Sequence, residues 1–248
     1  MTRPRVALTL GKFDGVHRGH LHLLGAVRGA AQDRGAEAAA LVLHPHPATV
    51  LSGRRVPVLT AIDERLALMR RAVEHADRLT FDAELAALAP EAFVERLGER
   101  FALAAVVVGP DFAFGRGRAG NAAVLTALGA ARGFDVIAVD PLLADGAPVS
   151  SGRIRDAVAR GDVGAARALL GRPYRLRGTV VHGEKRGRTL GYPTANLAPV
   201  ADYVVPGHGI YAVSASWRAP DGTLHRRTGA ASLGIRPQFD GSERSIEV

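Results

Sequence analysis

Two rhythms of apolar and polar positions divide this chain. In the first, short apolar runs alternate with longer stretches in which apolar residues recur every three or four positions. The run Val6-Ala-Leu-Thr-Leu10 predicts a strand, and the stretch from about Arg18 to Arg34 a helix. Ala39–Leu43 is a second buried run, broken by "HPHP" at 44–47. Thr60-Ala-Ile-Asp63-Glu64 supplies an N-cap and an acidic first turn for a helix reaching about His75. A short strand near Arg78–Phe81 follows, then a helix from Pro90 to about Arg100 with proline in its first turn. Ala105–Val108 predicts a strand, "GPDFAFGRGRAGN" a loop, 121–132 a helix and Phe134–Val139 another strand. Fully apolar strands alternating with amphipathic helices predict an α/β fold, a doubly wound parallel sheet covered on both faces.

Past residue 150 the rhythm changes. "SSGRIRDAVARGDVGAARALLGRP" reads as two short helices, split at Gly161-Asp162 and stopped by Gly171 and Pro173. From Tyr174 onward the helical period disappears. "YRLRGTVVHG", "GIYAVSASW" and "HRRTGAASLG" are strand candidates between Gly/Pro turns, which predicts a small all-β barrel. The expected organisation is an α/β domain over 1–160, a linker helix over 161–172 and a β-rich domain over 173–248.

Composition narrows the choices. The chain has 248 residues, 47% hydrophobic and 23% charged, as ordinary globular domains do. No apolar run approaches the ~20 residues of a membrane span, and the first fifteen residues lack the apolar core of a secretion signal. There are no cysteines, so disulfides and thiolate–metal sites are excluded and a cytoplasmic setting is compatible. The formal net charge is +8, and all basic residues but Lys12 and Lys185 are arginine. These arginines are scattered, without a basic block and with few aromatics to stack bases. The pattern favours small phosphate-bearing ligands over nucleic acid.

The chemistry concentrates where the first strand meets the first helix, in "GKFDGVHRGHLHLL". A helix N-terminus at the carboxyl end of a parallel strand presents free N–H groups and partial positive charge to a phosphate. His17 and His20, three residues apart, lie on one side of that first turn and can donate to the same phosphate oxygens. The plainer reading is that His20 caps the helix and His17 is solvated; strand, glycines and H-x-G-H spacing together favour the phosphate site. Two further patterns are ambiguous. Gly115-Arg-Gly117-Arg-Ala-Gly120 matches a dinucleotide fingerprint, but it begins six positions past the strand end at Gly109. Gly183, Gly187 and Gly191, around Lys185, Arg186 and Arg188, can bring backbone N–H groups to phosphates, followed by Tyr192-Pro-Thr194-Ala-Asn196.

"GKFDGVHRGH" resembles the H-x-G-H signature of nucleotidyltransferases, in the form found in bifunctional bacterial riboflavin kinase/FMN adenylyltransferases, the FAD synthetases. "HPHP", "VVVGPDFAFGRGRAGN", "VSSGRIRDAVARGDVGAARALLGRPY" and "GTVVHGEKRGRTLGYPTANL" resemble further motifs of that family, in family order across nearly the whole chain. The resemblance implies that FMN attacks the α-phosphorus of ATP and pyrophosphate leaves, with riboflavin phosphorylated in the β-rich part. It implies that His17 and His20 stabilise the transition state. Gly11, Phe13, Asp14, Gly15, Ser150, Ser151 and Arg155 would bind ATP, and His46, Asp111 and Phe112 the flavin nucleotide. In the kinase half, Gly183, Lys185, Arg186, Gly187, Gly191 and Pro193 would bind ATP, Thr194 and Asn196 would hold Mg²⁺, and Glu247 would be the general base. Gly152 departs from the family's usual threonine, and the family continues some tens of residues beyond Val248 to complete the barrel. Two alternatives remain open: adenylyl transfer to a different phosphate acceptor, and a catalytically inactive regulator that binds flavin or nucleic acid.

Overall fold

A computed structural model describes residues 3–182, 194–235 and 244–248. The chain divides into two compact units, Met1–Ser151 with Leu169–Gly171, and Gly152–Ala168 with Arg172–Val248. In the first, five parallel strands stand in the order β3-β2-β1-β4-β5. They are β1 (Arg5–Gly11), β2 (Glu37–His44), β3 (His75–Thr80), β4 (Ala102–Val108) and β5 (Asp135–Ala138). Between them run α1 (Arg18–Asp33), α2 (Pro47–Ser52), α3 (Ile62–Met69), α4 (Ala83–Ala87), α5 (Pro90–Arg100) and α6 (Ala122–Arg132). A two-strand hairpin of β6 (Leu143–Ala144) and β7 (Ala147–Pro148) follows β5.

The alternation of β1 explains the layering. Ala7 faces a core closed by Leu24 and Val27 of α1 and Leu66 and Met69 of α3. Val6, Leu8 and Leu10 face the opposite core, closed by Phe93, Val94 and Leu97 of α5 and Leu125 of α6. Both faces of the sheet are therefore covered, as the apolar strands predict. The strand order reverses beside β1: β2 and β3 extend one way, β4 and β5 the other. Open α/β sheets bind ligands at that reversal, beyond the carboxyl ends of the strands.

Three local expectations change. Thr60 is not the cap of α3. Ala61 occupies that position without a side-chain bond, and the Thr60 N–H goes to Asp14 instead. The helix also stops at Met69 rather than near His75. Val73 turns inward, its N–H bonded to the Met69 carbonyl, and His75 begins β3. Finally, "HPHP" ends a strand and also opens α2, with His46 as N-cap and Pro47 in the first turn.

In the second unit, α7 (Ser151–Ala159) and α8 (Val163–Leu170) meet at Gly161, which takes the left-handed conformation. An antiparallel sheet follows in the order β10-β11-β12-β9-β8. Its strands are β8 (Gly178–Val181), β9 (Asn196–Pro199), β10 (Gly209–Arg218), β11 (Leu224–Ile235) and β12 (Arg244–Glu247). Ala231, Leu233 and Ile246 form its core, packed by Leu176, Leu197, Val205, Tyr211 and Val213. The Gly207 N–H bonds the Val158 carbonyl at 3.1 Å, which ties α7 to the β-rich part. Motif order groups residues up to 160 with the α/β domain, whereas by packing the division falls at Ser151/Gly152.

Candidate active site

The H-x-G-H stretch starts α1, and its histidines form the start. His17 is the N-cap, and its Nδ1 accepts the His20 N–H at 3.3 Å. His20, at the third helical position, reaches back and its Nδ1 accepts the His17 N–H at 3.4 Å. This is a capping box in which imidazoles replace the usual hydroxyl and carboxylate. The two rings stack at 3.6 Å between centroids, and Phe13 meets His20 edge-on at 5.1 Å. His17 is buried rather than solvated, and both histidines cap. A ring nitrogen that accepts a hydrogen bond carries no proton. In a neutral imidazole so engaged, the proton sits on Nε2. The intervening glycine has a steric reason: a Cβ on Gly19 would lie 3.0 Å from the Val149 carbonyl oxygen and 3.2 Å from the His17 ring.

The loop leading into the pair is held in an unusual shape. Phe13 and Val16, both buried, have positive φ of 48° and 39°, and Gly15 lies between them at 91°. Such conformations are strained for a β-branched residue and persist only where the surroundings enforce them. Gly15 also lacks room, since a Cβ would sit 3.1 Å from Leu59 Cδ1. The Asp14 carboxylate does not face outward. It accepts the N–H groups of Leu59 and Thr60 at 3.0–3.2 Å and pairs with Arg65 Nη2 at 2.8 Å, both charges buried. Asp14 thus shapes the loop from within through its carboxylate. Phe13 likewise points into the core and supports His20. Ser151 Oγ donates to the Asp14 carbonyl at 2.8 Å, so Ser151 adjoins the loop. Gly11 ends β1.

The remaining residues of the first unit occupy the same sheet edge. His46 caps α2 through Nδ1, 3.1 Å from the Ala48 N–H, just past the carboxyl end of β2. Asp111 is exposed and Phe112 half-buried just past the end of β4, with Phe112 stacked on Phe114 at 5.5 Å. Residues 115–120 form a 3-10 turn over Arg116–Arg118, closed by a bridge between Phe114 and Gly120. That geometry excludes the strand-to-helix turn of a dinucleotide fingerprint. Arg155 is half-buried on α7, in the second unit.

Arg65 lies outside every motif of the sequence. Its signal was an arginine on the buried face of α3, in register with Leu66 and Met69. His44, at the end of β2, is held below its ordinary pKa of 6.5 by burial first, then by the positive charges of Arg65 and Arg78, with Asp63 opposing. The unfolded chain therefore takes up a proton near pH 6.5 that the folded chain refuses. Its contribution to stability is complete above pH 6.5 and is lost as the pH falls toward the folded value. Melting temperatures between pH 7.5 and 5.5 are expected to fall more for the native chain than for His44→Asn. Equal slopes would refute this.

In the second unit, β9 and β12 bring two distant motifs together. Asn196 is buried and is the register partner of Glu247, while Ala195 and Val248 exchange both backbone bonds, at 2.8 and 3.0 Å. Thr194 is exposed and Glu247 half-buried. The phosphate-loop residues Gly183, Lys185, Arg186, Gly187, Gly191 and Pro193 lie outside the described residues. Among the described residues no three His, Asp or Glu side chains cluster as a metal site, and no helix is long and apolar enough to cross a membrane.

Comparisons with known proteins join the two units in one family. The FAD synthetase family matches residues 1–153 and the riboflavin kinase family residues 170–248. A bifunctional riboflavin kinase/FMN adenylyltransferase of Listeria monocytogenes is 37% identical over 97% of this chain and 76% of its own length. Its namesakes in Escherichia coli K12 and Bacillus subtilis are 34% and 33% identical over the same shares. A crystal structure described as a macrolide-efflux protein from Streptococcus pneumoniae superposes with a TM-score of 0.86 at 30% identity, covering 100% of this chain and 80% of that one. The H-x-G-H box at the sheet reversal and the paired Thr-Ala-Asn and Glu strands thus have a common origin: the chain belongs to the bifunctional riboflavin kinase/FMN adenylyltransferase family.

Proposed function

We propose that the chain makes FAD in two steps, phosphorylating riboflavin with the second unit and adenylylating FMN with the first, and that His17 and His20 carry the adenylyl transfer. The histidine capping box supports this most directly. In it, Nδ1 of each ring accepts a backbone bond, which suits Nε2 to donate at a helix N-terminus beside the sheet reversal, where negative charge on phosphorus is best stabilised. An ionised phosphate oxygen of FMN attacks the α-phosphorus of ATP, the bond to the β-phosphate oxygen breaks, and pyrophosphate departs with the electron pair. The nucleophile is already anionic near neutral pH, so no general base is needed. Catalysis rests on positioning and charge stabilisation. Ser151 neighbours the loop, and Ser150 and Ser151 are suited to bind phosphate oxygens through hydroxyl and backbone N–H groups; the family resemblance assigns ATP phosphates to Arg155 too, as a forked donor. His46, Asp111 and Phe112, beyond the ends of β2 and β4, border the place for the flavin nucleotide.

A ribityl hydroxyl, unlike a phosphate, must lose a proton to become a good nucleophile. Glu247 takes that proton as the oxygen attacks the γ-phosphorus of ATP, the bond from that phosphorus to the bridging β-phosphate oxygen breaks, and ADP departs with the electron pair. Its strand partner Asn196 and the nearby Thr194 offer hard oxygen donors, which fit Mg²⁺ bound together with ATP phosphates. When bound, Mg²⁺ neutralises phosphate charge. Small-molecule substrates and a cytoplasmic location complete the reading, with the α/β domain over 1–160, the linker helix over 161–172 and the kinase domain over 173–248. Product chromatography after incubation with ATP and Mg²⁺ tests it. FAD from FMN supports the first activity, and FMN or FAD from riboflavin the second. No FAD from FMN would refute adenylylation of FMN and point to another acceptor or to a binding role.

A further inference from the structure

Five residues, Lys12 to Val16, separate the end of β1 from the catalytic pair, and among them are two strained residues and a glycine at positive φ. What keeps that backbone in place comes from outside the motif. The Arg65 guanidinium, 5% exposed at its side chain, reaches in from α3 and divides its donors between the two sides of Phe13. Nη1 donates to the Lys12 carbonyl at 2.7 Å. Nη2 donates to the Asp14 carboxylate at 2.8 Å and to the Thr60 carbonyl at 2.9 Å. The Asp14 carboxylate in turn holds the backbone N–H groups of Leu59 and Thr60. One planar cation therefore fixes residues 12 and 14, brackets the positive φ at 13, and anchors the loop to the segment before α3. Three residues further on, His17 must lie within hydrogen-bond reach of the His20 N–H for the capping box to close.

We propose that Arg65 is a positioning residue for adenylyl transfer: it holds the 12–16 loop in the strained shape that closes the His17–His20 box and aims both Nε2–H groups. It touches no substrate, and it acts through Lys12, Phe13 and Asp14. The inference rests on the adenylyl-transfer reading for its rate readout, and a second readout stands apart from activity. Lysine keeps the charge but lacks the planar fork, so it satisfies only part of the set. Methionine fills the space and leaves the Asp14 carboxylate buried without its cation, a strongly destabilising arrangement.

The test compares wild type, Arg65→Lys, Arg65→Met and the double variant Arg65→Met/Asp14→Asn, which leaves no buried charge behind. The measurements are kcat and KM for FAD formation from FMN and ATP, thermal unfolding, and nitrogen-15 NMR of labelled histidines. Wild type is expected to show His17 and His20 with the proton on Nε2. Arg65→Lys is expected to remain folded with kcat lowered roughly 10-fold and KM changed less than about threefold, and the double variant to lose roughly 100-fold in kcat. In both, the histidine signals shift toward a mixture of tautomers. If Arg65→Met does not fold, the lysine and double variants decide. Folded variants with wild-type kcat and unchanged histidine tautomers would overturn the proposal, because the ion pair would then serve stability alone. A wild-type chain that makes no FAD would sink the adenylyl-transfer reading instead, while the NMR comparison still reads the effect of Arg65 on the box.

Discussion

Replacing His17 by asparagine is expected to leave α1 intact and to cut FAD formation from FMN by roughly 10²–10³-fold, the usual cost of one preorganised donor at a developing oxyanion. Asparagine separates two tasks that alanine would confuse. Its side-chain oxygen is among the best N-caps, so it can accept the His20 N–H as the imidazole does now. It cannot extend an N–H donor to the place that Nε2 reaches on the far side of the ring. His17→Ala would lose the donor and also about 1 kcal/mol of cap. The two variants should therefore share a similar kcat and differ in melting temperature. A His17→Asn variant with wild-type turnover would remove His17 from the chemistry and leave it a cap.

Glu247→Gln is expected to lower riboflavin phosphorylation by roughly 10²–10⁴-fold, the range that general-base catalysis spans. Glutamine preserves the size of the side chain and its place opposite Asn196, so the β9–β12 pairing survives. What disappears is the ability to take a proton from the attacking hydroxyl. FMN adenylylation needs no such proton acceptor and should proceed at its normal rate in the same variant. Separate assays with riboflavin and FMN read the two steps. A parallel loss of both would mean that the change acts through folding, and an unchanged kinase rate would exclude Glu247 as the base.

The periodicity of the chain revealed most of the α/β unit, because apolar strands and amphipathic helices repeat strongly there. β1, β2, α1, α5 and β4 appear where their apolar runs predict them. Short elements escaped: α2 and α4 have six and five residues, too few to display a helical period. β9 escaped because Asn196-Leu-Ala-Pro has no clear alternation and pairs over long sequence separations. For the site, spacing identified the histidine pair but could not say which nitrogen of each ring was engaged. Nor could it show that Asp14 faces inward, since an aspartate between glycine-flanked turns reads as surface until its buried partner, 51 residues away, is known. A cation on a short helix betrays that role only by falling where a leucine is expected.

The capping box also limits how this site can drift in evolution. Each imidazole uses one nitrogen to shape the chain, and in the proposed mechanism the opposite one donates to phosphate. Serine, aspartate and asparagine can do the first task alone; lysine and arginine can do only the second. No other natural side chain carries an acceptor and a donor on opposite sides of one rigid ring. A lineage that abandons the reaction is thus still under pressure to keep a good cap at position 17, whereas one that keeps the reaction has no intermediate residue through which to pass. Loss of catalysis in such a lineage would leave its mark as a histidine turned to asparagine, serine or aspartate in a helix that otherwise folds as before.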